Sequence, residues 1–184
     1  MLNKNFLRKK YLSIRKKKHF NIKNNFLNPL SRFLKPKKDK KILLSIYYPA
    51  NNEVDIIKLL KDKKYSKIKF LLPRVYLNQK IKFHSWKFND PVEINKFGIL
   101  EPLKTQKIYT PNIMLIPLLA YDKWRNRLGY GKGYYDRYLN HQNKKSKKIV
   151  KIGVAFSFQE FKKLPSNLSD VKLDFILTEK GLKP

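Results

Sequence analysis

NIMLIPLLAYDKWRNRLGYGKGYYDRYLNHQ, residues 112–142, contains the three signals that decide the fold class. NIMLIP is a short apolar run with β-branched content and reads as a strand. A glycine loop follows. The chain has six glycines in 184 residues, yet Gly129, Gly131 and Gly133 fall at alternate positions here. YYDRYLNHQ then reads as a helix. A strand that leads through a glycine loop into a helix is the unit from which parallel sheets are built, and ligands of such sheets sit beyond the carboxyl ends of the strands.

Working outward, the same alternation recurs. Upstream, KILLSIYYP (41–49) reads as a buried strand stopped by Pro49, and EVDIIKLLKDKK (53–64) as a helix with Asn51 or Asn52 as its cap. KIKFLLP and IKFHSW read as two further strands, and KIVKIGVAF and KLDFILT supply two more downstream. Residues 5–19 place Phe6, Leu7, Tyr11 and Ile14 near helical spacing, and a second helix is expected over 22–34. Pro36 and the charge run to Lys41 close this helical preface. The expectation is an α/β fold: a mainly parallel sheet flanked by helices, a Rossmann-like three-layer sandwich with an N-terminal helical segment. It forms one domain over 1–184, with 1–40 packed on the sheet.

Composition narrows the function classes. Apolar residues make up 42% and aromatics 14%, enough for a sizeable core. The 43 Lys and Arg against 13 Asp and Glu give +30, which raises nucleic acid as a partner. However, 36 of the 43 are lysine and seven arginine, whereas readers of base edges lean on the bidentate Arg fork. The lysines run from Lys4 to Lys183 alongside 16 Asn and 16 Ile, a pattern that suits drift toward AT-rich codons and a solvated lysine coat. With no cysteine, disulfides and thiolate metal sites are excluded. His19, His84 and His141 share no metal-ligand spacing. The apolar runs are too short to span a bilayer and the N-terminus lacks a secretory h-region, so cytoplasm is the expected compartment.

The glycine loop suits an anion. Glycines let backbone N–H groups approach phosphate oxygens, and the N-terminus of the following helix adds partial positive charge. Its G-x-G-x-G spacing is neither the dinucleotide fingerprint nor Walker A, since Lys132 is followed by Gly133 and by no Ser or Thr. A plain glycine turn needing positive φ accounts for the spacing as well. The neighbours favour phosphate: Arg127 and Lys132 offer cations, Asp136 a hard oxygen ligand for magnesium, and Tyr134 and Tyr135 flat faces with hydroxyls.

IPLLAYDKWRNRLGYGKGYYDRYL resembles the proline-led strand exit, aromatic-Asp pair and RLG-x-G-x-GYYD loop of the 5-formyltetrahydrofolate cyclo-ligase (5,10-methenyltetrahydrofolate synthetase) family. KNFLR, NEVD, LPRV, GILEP, GVAFSFQ and SDVKLDFILTE fall in the family's order, so the resemblance covers nearly the whole chain. It implies an ATP- and Mg2+-dependent enzyme acting on 5-formyltetrahydrofolate, expected as a monomer without a membrane or specific nucleic-acid partner. It places Lys4, Arg8 and the loop Arg127, Leu128, Gly129, Tyr130, Gly131, Lys132, Gly133, Tyr134 and Tyr135 on ATP, with Arg127 and Lys132 as catalytic cations. Asp136 and Asp170 go to magnesium, and Tyr48, Glu53, Tyr130 and Tyr134 to the folate. The family often has Gly where Leu118 and Arg125 stand, and some members carry Arg at Tyr130. Two other readings are an RNA-associated binding protein without turnover and another ATP-dependent kinase or ligase on the same fold.

Overall fold

The computed structural model describes residues 3–35 and 41–184. The charge run proposed to close the N-terminal preface, residues 36–40, lies outside the described residues, as do residues 1 and 2. In chain order the elements are α1 (Lys4–Lys18), a 3-10 segment (Asn24–Leu30), α2 (Ser31–Leu34), β1 (Leu43–Ser45), α3 (Ile57–Leu60), β2 (Lys69–Val75) and β3 (Ile81–Ser85). There follow β4 (Val92–Ile94), β5 (Leu100–Pro102), β6 (Ile108–Tyr109), β7 (Ile113–Pro117), β8 (Ala120–Tyr121) and β9 (Arg127–Leu128). The chain ends with α4 (Tyr134–Lys144), β10 (Val150–Val154), β11 (Phe175–Thr178) and β12 (Gly181–Lys183).

Eight strands form one sheet in the order β12-β11-β10-β7-β1-β2-β3-β6. The five central strands, β11, β10, β7, β1 and β2, are mutually parallel; β12 pairs antiparallel with β11 on one side, and on the other β3 pairs antiparallel with β2 and β6 antiparallel with β3. Period-two alternation of apolar residues separates the two faces. Leu44, Leu72, Leu115, Ile152 and Leu177 pack under the N-terminal Phe26, Leu27, Leu30 and Leu34 and under α3. Leu71, Met114, Ile116 and Ile176 face the other way, toward Leu139 of α4. Helices on both faces give the expected three layers, with a sheet that is parallel at its centre and antiparallel at its edges.

Three local expectations change. The helix over 22–34 is a 3-10 segment followed by a single α turn, because Pro29 sits inside it and removes a backbone donor. The helix over 53–64 shrinks to Ile57–Leu60. Asn51 and Asn52 do not cap it: both take left-handed backbone (φ 49° and 61°), reversing the chain after β1. On α1, the inward stripe is Leu7, Tyr11 and Arg15, with Phe6 left 59% exposed. That stripe packs on the β8–β9 hairpin, which separates β7 from the glycine loop.

From β1 the chain moves to β2 on one side, and from β7 to β10 and β11 on the other. Between β1 and β7 the direction of winding reverses. The carboxyl ends of these two strands therefore diverge into a crevice, the place where an open parallel sheet holds its ligand.

Candidate active site

A cavity of about 480 Å³ opens at this crevice. Every residue singled out from sequence for ATP, folate or metal lines it: Lys4, Arg8, Tyr48, Glu53, the whole run Arg127–Asp136 and Asp170. They arrive on four separate stretches of chain, brought together by the sheet.

The half beyond β7 is cationic. Gly131 and Gly133 adopt positive φ (93° and 65°), so the loop uses glycine where a side chain would be strained. Gly133 then serves as the N-cap of α4. Helix α1 lies against the loop: Arg8 Nε donates to the Gly129 carbonyl at 3.0 Å, and the same guanidinium lies 3.0 Å from where a Cβ on Gly131 would stand. Lys4 Nζ reaches Asp170 at 2.6 Å, and one turn later Arg8 also donates to Asn5 Oδ1 at 2.5 Å. Arg127 is sunk behind the loop, donating to Asp136 Oδ1 at 2.6 Å and to the Val171 carbonyl. Lys132 stays exposed with its ammonium 5.9 Å from the Phe97 ring. Leu128 is buried with α1, so only its backbone is available to the crevice.

The two acids share a design. Asp136 Oδ1 accepts from Arg127 and from Val171 N–H at 3.0 Å, and Asp170 Oδ2 accepts from Lys4 and from Asn167 N–H at 2.9 Å. In each case the second carboxylate oxygen has no protein donor among the described residues. No group of three or more His, Cys, Asp or Glu suited to a metal occurs among the described residues. A magnesium ion here would rest on these two carboxylates with phosphate oxygens and water completing its shell, which is how Mg2+ is usually held. The donor set fits.

The half beyond β1 is acidic and aromatic. The Asn51–Asn52 turn folds Glu53 back, so that Ala50 N–H donates to its Oε2 at 3.0 Å while Glu53 N–H donates to the Ala50 carbonyl at 3.0 Å. Tyr130 donates its hydroxyl to Glu53 Oε1. Burial pushes the Glu53 carboxyl up; the Tyr130 hydrogen bond, the Arg15 charge and the Ala50 N–H oppose that rise. The Tyr130 and Tyr135 hydroxyls are driven far above the ordinary tyrosine range by burial, and the nearby Glu53 charge adds to the rise. Tyr48 lines the same wall, edge-on to Trp86 at 6.4 Å.

Two contributors went unread in the sequence. One is the β4–β5 hairpin, which roofs the cavity through Asn95, Phe97, Ile99, Leu100 and Glu101. Buried Glu101 pins it to β2 by accepting from Val75 N–H at 3.0 Å, and its tip packs Phe97 against Tyr134 at 6.3 Å. The GILEP motif was its signal. The other is Arg15, only 1% exposed, which was hidden in a lysine-rich helix. An arginine continuing the i, i+4 stripe from Leu7 and Tyr11 was the sign available.

The family model for the 5-formyltetrahydrofolate cyclo-ligase family matches residues 4–179. The chain belongs to this family. It is thereby a member of a family of ligases. The chain is 33% identical over 187 residues to 5-formyltetrahydrofolate cyclo-ligase of Mycoplasma pneumoniae, covering 97% of this chain and 99% of that one. It is 35% identical to the Mycoplasma genitalium enzyme of that name, covering 96% and 98%. With the Haemophilus influenzae cyclo-ligase the match is 43% over 91 residues, about half of either chain. Among solved structures, a 5,10-methenyltetrahydrofolate synthetase from Mycoplasma pneumoniae superposes with a TM-score of 0.72 at 29% identity over 97% of this chain and 99% of that one. The synthetase of Aquifex aeolicus gives 0.74 at 30%, over 99% and 92%. Both share the mainly parallel sheet with flanking helices. Among the described residues no helix is long and apolar enough to cross a membrane.

Arg125, where the resemblance leads to an expectation of glycine, takes left-handed backbone at φ 64°. Leu118, at the other such position, is buried, and its carbonyl accepts from Arg15 and Gln159.

Proposed function

We propose that the protein converts 5-formyltetrahydrofolate to 5,10-methenyltetrahydrofolate, consuming ATP with Mg2+ and releasing ADP and phosphate. The observation that supports this most directly is the division of one cavity into a cationic glycine-loop half and an acidic, aromatic half. The first suits a triphosphate; the second suits a flat heterocycle bearing N–H donors.

The chemistry requires both. A formyl oxygen is a poor leaving group. Transfer of the γ-phosphoryl group onto it breaks the bond to the β-phosphate, releases ADP and leaves an iminium phosphate. N10 then attacks the formyl carbon, the N10 proton departs, and the C–O bond breaks with loss of phosphate. Phosphoryl transfer depends chiefly on alignment and charge stabilisation.

The residues divide that work. The backbone N–H groups of Gly129–Gly133 and the α4 N-terminus meet the phosphates. Arg8 clamps the loop from α1 and presents a guanidinium over Gly131. Lys132, exposed at the rim, supplies the cation that follows the moving phosphoryl group. Arg127 acts from behind, holding Asp136 by its Oδ1 at the cavity wall. Asp136 and Asp170 would hold Mg2+, which when bound neutralises charge on the phosphates. Glu53, kept anionic by two donors, accepts from pterin N–H groups, and Tyr48 and Tyr134 provide flanking ring surfaces. The test is direct: purified protein should form the conjugated methenyl product, read by its absorbance, only when ATP and Mg2+ are both present. Product formed without ATP, or none under any condition, would overturn the reading.

A further inference from the structure

Arg15 enters the structure from the rear of the site. It sits at the far end of α1 from Lys4, and its guanidinium is buried against irregular backbone. Nε donates to the Asn51 carbonyl at 2.9 Å and one terminal nitrogen to the Leu118 carbonyl at 3.1 Å. The other terminal nitrogen donates to the Tyr130 hydroxyl, and the guanidinium carbon lies 5.6 Å from that ring's centroid. These three partners belong to the three segments that converge at the switch point: the turn after β1, the exit of β7 and the glycine loop.

A guanidinium can only donate. The Tyr130 oxygen therefore accepts from Arg15, and its own proton has one place to go, Glu53 Oε1. The chain Arg15 to Tyr130 to Glu53 runs in a single direction and ends on a carboxylate that faces the cavity. Other polar groups near Glu53 do not replace it: Tyr47 spends its hydroxyl proton on the Val54 carbonyl at 2.7 Å, and Ala50 N–H takes the second carboxylate oxygen.

We propose that Arg15 is a positioning residue for the folate half of the site, acting through Tyr130 to hold the Glu53 carboxylate anionic and aimed into the cavity. This rests on the reading of Glu53 as a folate contact. A buried cation that binds two carbonyls also has a purely structural use, and α1 itself separates the two roles. Lys4 and Arg8, on the same helix, serve the nucleotide half. If Arg15 only anchored α1, its loss would loosen both ends of the helix and raise KM for ATP and folate together. If it acts through Tyr130, the folate KM alone should move.

Steady-state kinetics with 5-formyltetrahydrofolate and ATP varied in turn should be measured on wild type, Arg15→Met, Arg15→Lys, Tyr130→Phe, Glu53→Gln and the exposed control Lys17→Met. Arg15→Met and Tyr130→Phe should each raise the folate KM about tenfold, the scale of one lost charge-assisted hydrogen bond, with ATP KM within about twofold of wild type. Arg15→Lys should recover part of the loss, and a variant combining Arg15→Met with Tyr130→Phe should be no worse than either single one. Should Arg15→Met fail to fold, Tyr130→Phe decides, since it leaves the guanidinium and its carbonyl partners in place. A raised folate KM in Glu53→Gln with a wild-type value in Tyr130→Phe would sink the relay alone. Equal rises in both KM values for Arg15→Met would make it a helix anchor. A wild-type folate KM in Glu53→Gln would remove Glu53 from the site and the relay with it.

Discussion

The two halves of the cavity are built in opposite ways. The half proposed for the nucleotide is local: ten consecutive residues, Arg127–Asp136, supply the loop, the helix cap and one carboxylate, with α1 and Asp170 added from outside. The half proposed for folate is assembled from the turn after β1, the β4–β5 hairpin, one loop tyrosine and an arginine more than thirty residues away from Glu53. A contiguous site is legible because its backbone demand, glycine at alternate positions, is written where it acts. A dispersed site shows itself only when the sheet brings its pieces together.

This difference predicts how each half fails. The largest effect belongs to Asp136→Asn. The amide still accepts from Val171 N–H but loses the charge that holds Arg127 and would hold Mg2+. Turnover should fall by about two orders of magnitude or more, with folate affinity close to wild type. A magnesium titration alongside Asp62→Asn checks it, and partial recovery at high Mg2+ would assign the defect to metal affinity. Full turnover would strip the nucleotide half of its acid.

Next is Gly131→Val. The residue has φ 93° and the Arg8 guanidinium stands 3.0 Å from the added Cβ, so the loop must shift and Arg8 must leave. ATP KM should rise roughly tenfold while folate KM changes little. Fluorescence titration with ATP measures it; unchanged affinity would reduce the loop to a turn.

The dispersed half should fail with pH. Burial raises the Glu53 carboxyl, so its proton returns at a higher pH than for an ordinary glutamate. Folate affinity should accordingly be constant above the folded-state pKa and weaken as pH falls through it, by a few-fold to tenfold. Glu53→Gln should be weak and flat across the same range. A wild-type profile that is also flat would break the link between this carboxylate and folate.

Legibility followed the same division. The central strands, α4 and the glycine loop were readable because periodicity and composition act over neighbouring residues. The short edge strands and the β4–β5 hairpin were not, since two- or three-residue ladders leave almost no alternation to detect. Arg15 was masked by charge. In a helix carrying Lys9, Lys10, Lys16, Lys17 and Lys18, only tertiary contacts distinguish a buried arginine from a solvated face.

The smallest expected effect lies between the halves, in the β8–β9 hairpin that joins β7 to the loop. Arg125 occupies left-handed backbone at φ 64°, costly for any residue with a Cβ, and its buried Nε has no hydrogen-bond partner among the described residues. Its N–H donates to the Asp122 carbonyl at 3.0 Å and its carbonyl accepts from Leu173 N–H at 3.1 Å, so surrounding hydrogen bonds enforce the conformation. Asp122 is buried and accepts from Trp124, Asn126 and Leu164 N–H groups, which leaves the turn little room to relax. Arg125→Ala keeps the strain and removes the guanidinium; Arg125→Gly removes both. Glycine loses more backbone freedom on folding, which offsets part of the relief. Glycine should still exceed alanine by about 1 kcal/mol, or roughly 2–4 °C in Tm for a chain of this size. Because Arg125 touches neither half of the cavity, kcat and both KM values should stay at wild-type levels in the two variants. An alanine variant as stable as the glycine one would show that the turn stores no strain, and a change in ATP KM would show that the hairpin sets the path of the glycine loop.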